Sequence, residues 1–397
     1  MIFPLLLPQN RTEFETRISK VRLAMDTLGI DALAICSTVN IYYLTGGVCR
    51  GCFYLPIDRE PVFFMTPPAQ ASAVGNIAQE MRKPEQIPVM LSERGYAPAR
   101  KVGLEFEDLY YSDVERLKHV FAEAEIADGS RAMRTARLVK TPYEIAKMRD
   151  DGMRQAEVYS RIDRLYREDM TDLQFQIEIE RVLRLEGCIG YLRAAGPRME
   201  LNMGSVIAGD NADVPTPYDF AMGGAGIDPS LPVGASGKTM TPGSTVMVDM
   251  NGGFNGYQTD MTRCWAIGDV PARAVEAHEC SRRILRDLEN FGRAGAEISQ
   301  MYTRAEEIAR EAGLAEYFMG HRHHAGFIGH GVGIELNEAP VIMARNHSPL
   351  QENMTIALEP KFVIPGVGAV GVENTYVVRT DGLENLTKFK EDLEPLS

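Results

Sequence analysis

Apolar positions recur along this chain in two periods, and the pattern changes near residue 137. Ahead of that point, Phe14, Ile18, Val21, Met25 and Leu28 trace a stripe at alternating spacings of four and three, which predicts an amphipathic helix. Asn10, with Glu13 at the third position, reads as its cap. Short apolar runs at Leu33–Cys36, Pro61–Met65 and Val102–Glu105 predict buried strands, so this part reads as alternating α and β. Beyond a basic stretch from Arg134 to Lys140, Thr141-Pro142-Tyr143-Glu144 predicts a capping box opening a long helix. The core face expected for that helix is Ile145, Met148, Met153 and Ala156. Thr171 with Gln174 predicts the next cap, and two more helices are expected over Ala272–Phe291 and Ile298–Glu311.

The same half contains strands, and each ends in chemistry. Thr245–Val248 is β-branched and apolar and leads into Asp249; turn signals at Gly252-Gly253 and Asn255-Gly256 precede a second strand from Tyr257 through Trp265. A hairpin is therefore expected to bring Asp249 (in VMVDMNG) and Asp260 (in GYQTDMTR) face to face. His330 stands between two glycines in FIGHGVG, which permits close backbone approach. Glu359 closes the strand Met354–Leu358 in TIALEPK, and Glu373 sits in an expected strand Val370–Val378 in VGVENTYVV. Carboxylates in buried strands are costly unless they are paired or bind a cation. Four carboxylates and one imidazole form a hard, oxygen-rich set that suits a pair of divalent cations. Two such cations about 3.5–4 Å apart can activate a shared water, so the pattern points to a metallohydrolase.

These motifs, in this order and spacing, resemble those of the creatinase, prolidase, aminopeptidase P and methionine aminopeptidase family. The segment GIDALAICSTVNIYYLTGG is similar to that family's accessory domain. The resemblance implies an α+β chain: a smaller α/β creatinase-like domain over residues 1–136, then a pita-bread catalytic domain over residues 137–397, in which helices cover a curved, mostly antiparallel sheet. It implies two divalent ions (manganese, cobalt, iron or zinc), with Asp249 chelating one, Asp260 and Glu373 bridging, and His330 and Glu359 completing the second. Glu359 is further implied to shuttle the proton of the attacking water. A homodimer is also implied, in which the Val48–Tyr54 segment, carrying Arg50, reaches the partner's active site.

The substrate shell departs from the proline-specific members. Where those carry a histidine in the region AGDNADVPTPYDF, this chain has Thr216; where they carry a second histidine, seven residues after the metal histidine, it has Asn337 followed by Glu338. An arginine commonly two residues before the last glutamate is replaced by Gly371. His323 and His324 are the available substitutes for the missing imidazoles, although the commoner spacing falls on Gly326. Thr216, Asn337, His323, His324 and Arg50 are accordingly the candidate substrate-contacting residues.

Composition narrows the partners. With 397 residues, 45% hydrophobic, the chain can bury a sizeable core, and a net charge of −13 disfavours nucleic acid. The opening MIFPLLLPQN is too short to span a bilayer and lacks a basic flank, so neither membrane nor export is expected, and a cytoplasmic location is. Six cysteines read as reduced thiols, and Cys49-Arg50-Gly51-Cys52 reads as a coincidental CxxC. Three functions remain: a peptidase of Xaa-Pro type acting on short peptides, a C–N hydrolase or lyase acting on a small zwitterion, and a non-catalytic binding module.

Overall fold

The structure is a computed structural model that describes residues 3–68 and 77–396. The chain forms two compact units, Met1–Arg137 and Leu138–Ser397. The first unit is built on a six-stranded mixed sheet. Its strands are β1 (Ala32–Ile35), β2 (Gly51–Pro56), β3 (Val62–Met65), β4 (Ala78–Glu80), β5 (Lys101–Leu104) and β6 (Glu125–Asp128), in the order β4-β3-β2-β1-β5-β6. Its helices are α1 (Arg11–Leu28), α2 (Thr38–Thr45), α3 (Ile87–Glu93), α4 (Tyr111–Val120) and α5 (Ser130–Leu138), which closes it. The apolar stripe of α1 is buried at Phe14, Ile18, Val21 and Met25. Asn10 does not cap α1 with its side chain; its Nδ2 instead donates to the Pro4 carbonyl at 2.8 Å, because short 3-10 turns precede the helix.

The second unit starts with α6 (Pro142–Tyr159) and α7 (Asp172–Leu185), each opened by the capping box read from the sequence. The core face of α6 is Ile145, Met148, Gly152, Gln155 and Tyr159 rather than the expected Met153, which is 58% exposed. A period of 3.6 residues carries the buried stripe from Met148 to Gly152 and rolls Met153 out to solvent. Helices α8 (Ala272–Phe291) and α9 (Ile298–Glu311) occupy the expected spans.

Three sheets share this unit. One comprises β7 (Gly204–Ala208), β8 (Ser244–Gly252), β9 (Thr259–Ile267) and, at its far edge, β17 (Glu394–Pro395). Another runs β11-β10-β12-β15-β16 and is antiparallel, from β10 (Gly329–Gly331), β11 (Glu338–Val341), β12 (Thr355–Leu358), β15 (Asn374–Val378) and β16 (Leu383–Asn385). The third is the hairpin of β13 (Lys361–Ile364) and β14 (Gly368–Gly371), packed between β8 and α8. The expected single strand from Val370 is thus broken in two, and Glu373 lies in the break. Among the described residues, no helix is long and apolar enough to cross a membrane.

Candidate metal centre

Strand register decides how the first two acids meet. In the β8–β9 hairpin Asp249 is opposite Thr262 and Asp260 is opposite Asn251. The two aspartates are therefore diagonal neighbours on one face, not direct partners as expected, because side chains alternate faces with a period of two. Thr375 locks this edge: its hydroxyl accepts from Asp260 N at 2.8 Å and donates to the Asp260 carbonyl at 3.0 Å.

His330 comes from β10, paired with Ala357 of β12. Its flanking glycines are required: a Cβ on Gly329 would stand 2.2 Å from the Ala357 carbonyl oxygen, and one on Gly331 would stand 2.0 Å from that of Ala339. Nδ1 of His330 lies 3.1 Å from the Gly331 carbonyl. A carbonyl only accepts, so Nδ1 carries a proton and Nε2 is the ring nitrogen left to ligate a cation. That Nε2 lies 3.8 Å from Asp260 Oδ2 and 3.7 Å from Glu359 Oε1. Glu359 directly follows β12, and Glu373 accepts through Oε2 from the Thr262 hydroxyl at 2.7 Å.

A residue that the ligand pattern did not single out completes the cluster. Lys361, the first residue of β13, has a side chain with no solvent exposure. Its Nζ donates to Asp249 Oδ2 at 2.7 Å, Glu359 Oε2 at 2.8 Å and Glu373 Oε2 at 2.9 Å. Burial works against its charge, but the three carboxylates outweigh that and hold its pKa well above the ordinary lysine value. A lysine opening the otherwise apolar strand Lys-Phe-Val-Ile was the available signal in the sequence.

The acids strain against one another. Burial, then the charges of Glu373 and Asp249, push Asp260 well above the usual carboxylate range, with Lys361 opposing. Burial likewise pushes Glu373 up to about 8, Lys361 pulling it down while Glu359 and Asp249 add to the rise. Ligand atoms of Asp260, His330 and Glu373 lie within 4.8 Å of one another, as do those of Asp249, Glu359 and Glu373. The first group fits a divalent cation: Nε2 of His330 offers a lone pair, and Oε1 of Glu373 is buried without a partner. The second group does not fit one as it stands, because the Lys361 ammonium already bonds all three of its carboxylates.

The expected substrate residues fare unevenly. Asn337 lines the same cavity as Asp249, Asp260, His330 and Glu359, beside an apolar wall that includes Phe220, Met222 and Leu336. Its amide is tied to Ala195, accepting from the backbone N–H at 2.7 Å and donating to the carbonyl at 2.8 Å, so it is held as a strut. Thr216 lines a separate depression with Asp213 and His321, and its hydroxyl accepts from Tyr218 N at 3.3 Å. The chain bends over residues 217–219, and Asp219 to Met222 reach the central cavity in its place. His323 and His324 are exposed on an outer cleft that also touches His330, and Nδ1 of His324 donates to the Phe318 carbonyl at 2.8 Å. Arg50 belongs to the first unit and is exposed, so the unit that carries the centre does not contain it. Cys49 and Cys52 are free and buried, and the Cys52 thiol is hydrogen-bonded to the free thiol of Cys36, just past the end of β1.

Helices over largely antiparallel sheets, with four carboxylates and an imidazole converging from five stretches of chain, define the class of metal-dependent hydrolases. The sequence pattern of metallopeptidase family M24 matches residues 144–380, and that of the creatinase/prolidase N-terminal domain matches residues 17–139; the chain belongs to metallopeptidase family M24. It is 26% identical over 385 residues to an Xaa-Pro dipeptidase of Pyrococcus furiosus, covering 95% of this chain and 99% of that one. An Xaa-Pro dipeptidase of Lactobacillus helveticus is 27% identical over 292 residues, 73% of this chain and 71% of that one. Among solved structures, the Xaa-Pro dipeptidase from Bacillus anthracis aligns with a TM-score of 0.81 at 23% identity, over 96% of this chain and 100% of that one. The prolidase from Pyrococcus horikoshii aligns with a TM-score of 0.76 at 22% identity, over 94% and 98% of the two chains. The fold is the two-domain pita-bread architecture, and the protein is a metallopeptidase that uses divalent metal ions. The small-zwitterion hydrolase or lyase and the non-catalytic module are thereby disfavoured.

Proposed function

We propose that this chain cleaves Xaa-Pro bonds in dipeptides or other short peptides, with a weakened preference for proline. The observation that carries this reading is the convergence of Asp249, Asp260, His330 and Glu359 on one cavity, with Glu373 beside them, in a chain of this family. Asp260, His330 and Glu373 would hold a divalent cation, of manganese, cobalt, iron or zinc, which supplies Lewis acidity to the scissile carbonyl and lowers the pKa of a bound water.

The rest falls to the chain's own groups. Glu359 is fixed through Oε2 by Lys361 at 2.8 Å, which leaves Oε1, on the His330 side, free to take a proton. In the reaction the water oxygen bonds to the carbonyl carbon and Glu359 accepts the water's proton. As the C–N bond breaks, the same carboxylic acid returns that proton to the departing nitrogen. His330, its Nδ1–H engaged by Gly331, keeps Nε2 aimed inward throughout. Thr216 and Asn337 cannot serve as acid–base groups near neutral pH, which motivates the weakened proline preference. The arrangement implied by the family resemblance, two ions with Asp249 and Glu359 among the ligands, would require the ammonium of Lys361 to leave its three carboxylates. A homodimer and a cytoplasmic location complete the proposal; six free thiols suit a reducing compartment.

The test is turnover of metal-loaded protein on Xaa-Pro dipeptides, longer Xaa-Pro peptides and proline-free dipeptides. Slow Xaa-Pro cleavage is expected, and Glu359→Gln lowers it by about 10²–10⁴-fold, as loss of a placed acid–base group does. Undiminished turnover in that variant refutes the role of Glu359. Fast Xaa-Pro cleavage that survives His323→Ala and His324→Ala together refutes the weakened preference.

A further inference from the structure

We propose that the Lys361 ammonium is a built-in cation standing where a second metal ion would otherwise lie, so that each chain carries a single divalent ion, at Asp260, His330 and Glu373. The inference rests on the metallopeptidase reading and deepens it, because it concerns the same centre.

Lysines ordinarily bury the stem and keep the ammonium in water. Here the whole side chain is enclosed, and the three N–H donors of Nζ meet three carboxylate oxygens at 2.7, 2.8 and 2.9 Å. Those oxygens belong to Asp249, Glu359 and Glu373, the second of the two groups whose ligand atoms converge within 4.8 Å. The ammonium and a divalent cation cannot share them, since like charges would then stand in contact.

The backbone is shaped to admit this lysine. Lys361 pairs directly with Gly371 across the β13–β14 hairpin. A Cβ on Gly371 would lie 3.2 Å from Cγ of Lys361 and 2.8 Å from the Pro360 carbonyl oxygen, so the missing side chain is the space the lysine stem uses. The Lys361 carbonyl is held by the Met319 N–H at 2.8 Å, which fixes the point from which the stem departs. An ammonium excluded from water on every side has no solvent to swing into if a second ion arrives.

What remains is one site. Oε2 of Glu373 is occupied by Lys361 and Thr262, and Oε1 is unpartnered. Together with Asp260 and Nε2 of His330 it offers an oxygen–oxygen–nitrogen set for one ion. The ammonium neutralises charge but has no vacant coordination position, so the centre has one Lewis acid in place of two.

The test uses the full chain, stripped of metal and titrated with manganese(II), read by calorimetric stoichiometry and electron paramagnetic resonance. Expected for the native sequence is one manganese per chain, with the spectrum of an isolated ion. Lys361→Met, close in length and uncharged, should take up a second ion and show exchange coupling between the two. Two ions, or none, in the native sequence overturns the proposal. A variant that folds and still binds only one ion overturns the claim that the ammonium excludes the second. If the variant does not fold, the native stoichiometry and spectrum decide alone. Neither readout depends on peptide cleavage, so failure here is distinguishable from failure of the Xaa-Pro assignment.

Discussion

Asp151 shows how a single buried acid imposes a pH dependence on the fold. It is fully buried on α6, where it accepts from Phe254 N at 2.6 Å and from the Thr259 hydroxyl at 3.0 Å. Burial raises its pKa to about 7, although both hydrogen bonds and Arg154 pull the other way and Asp150 adds to the rise. An unfolded aspartate titrates near about 4. Between that value and about 7 the folded chain holds a proton that the unfolded chain has released, so stability falls as pH rises through this window. The contribution is complete below the unfolded value, and the loss above the window is on the order of 4 kcal/mol. Asp151→Asn keeps an oxygen for the Phe254 N–H and removes the titration. Its urea-unfolding free energy should therefore depend less on pH across this window than that of the native sequence, and identical slopes would contradict the assignment.

Among the elements, α6 is the clearest case of a local motif given a tertiary task. Glu144 N donates to the Thr141 hydroxyl at 3.2 Å, and Thr141 N donates to Glu144 Oε2 at 2.9 Å, closing the box. The other oxygen of Glu144 accepts from the buried Tyr257 hydroxyl at 3.0 Å, so the cap also holds the turn that leads into β9. Thr141→Ala removes one cap bond and should cost about 1 kcal/mol in urea unfolding. Glu144→Ala strands the Tyr257 hydroxyl as well and should cost more, roughly 2–3 kcal/mol. Equal costs would mean that the contact to Tyr257 contributes nothing. The β13–β14 hairpin shows the opposite situation: Gly371, which in sequence reads only as the place of a missing arginine, proves to be the pairing partner that leaves room for the Lys361 stem.

For the molecule as a whole, the proposed homodimer predicts a light-scattering mass of twice 44.0 kDa at micromolar concentration. A strictly monomeric mass removes the idea, and with it any role for Arg50 at a partner's site. Each unit has its own buried core: β-strand residues such as Ala32, Phe64 and Val102 in the first, and in the second clusters that include one around Ile356 and Leu358, one around Val246 and Val248 and one around Met247 and Val363. Rigid apolar packing on both sides of the hairpins keeps five ligand candidates from five separate stretches of chain in one place.

The helix spans over Ala272–Phe291 and Ile298–Glu311, both capping boxes and the order of the five ligand candidates were legible in the sequence, because each rests on spacing or on contacts within a few residues. Other features rest on register and burial between segments far apart in the chain. Those are the diagonal offset of Asp249 and Asp260, the break that holds Glu373, the diversion of Thr216 from the cavity and the seating of Lys361 among three acids. A lysine two residues after Glu359 stands out in sequence only as the polar residue that opens an apolar strand, and nothing local shows what it meets. Only the folded sheet, by pairing it with Gly371 and burying its side chain completely, sets the ammonium against the three carboxylates.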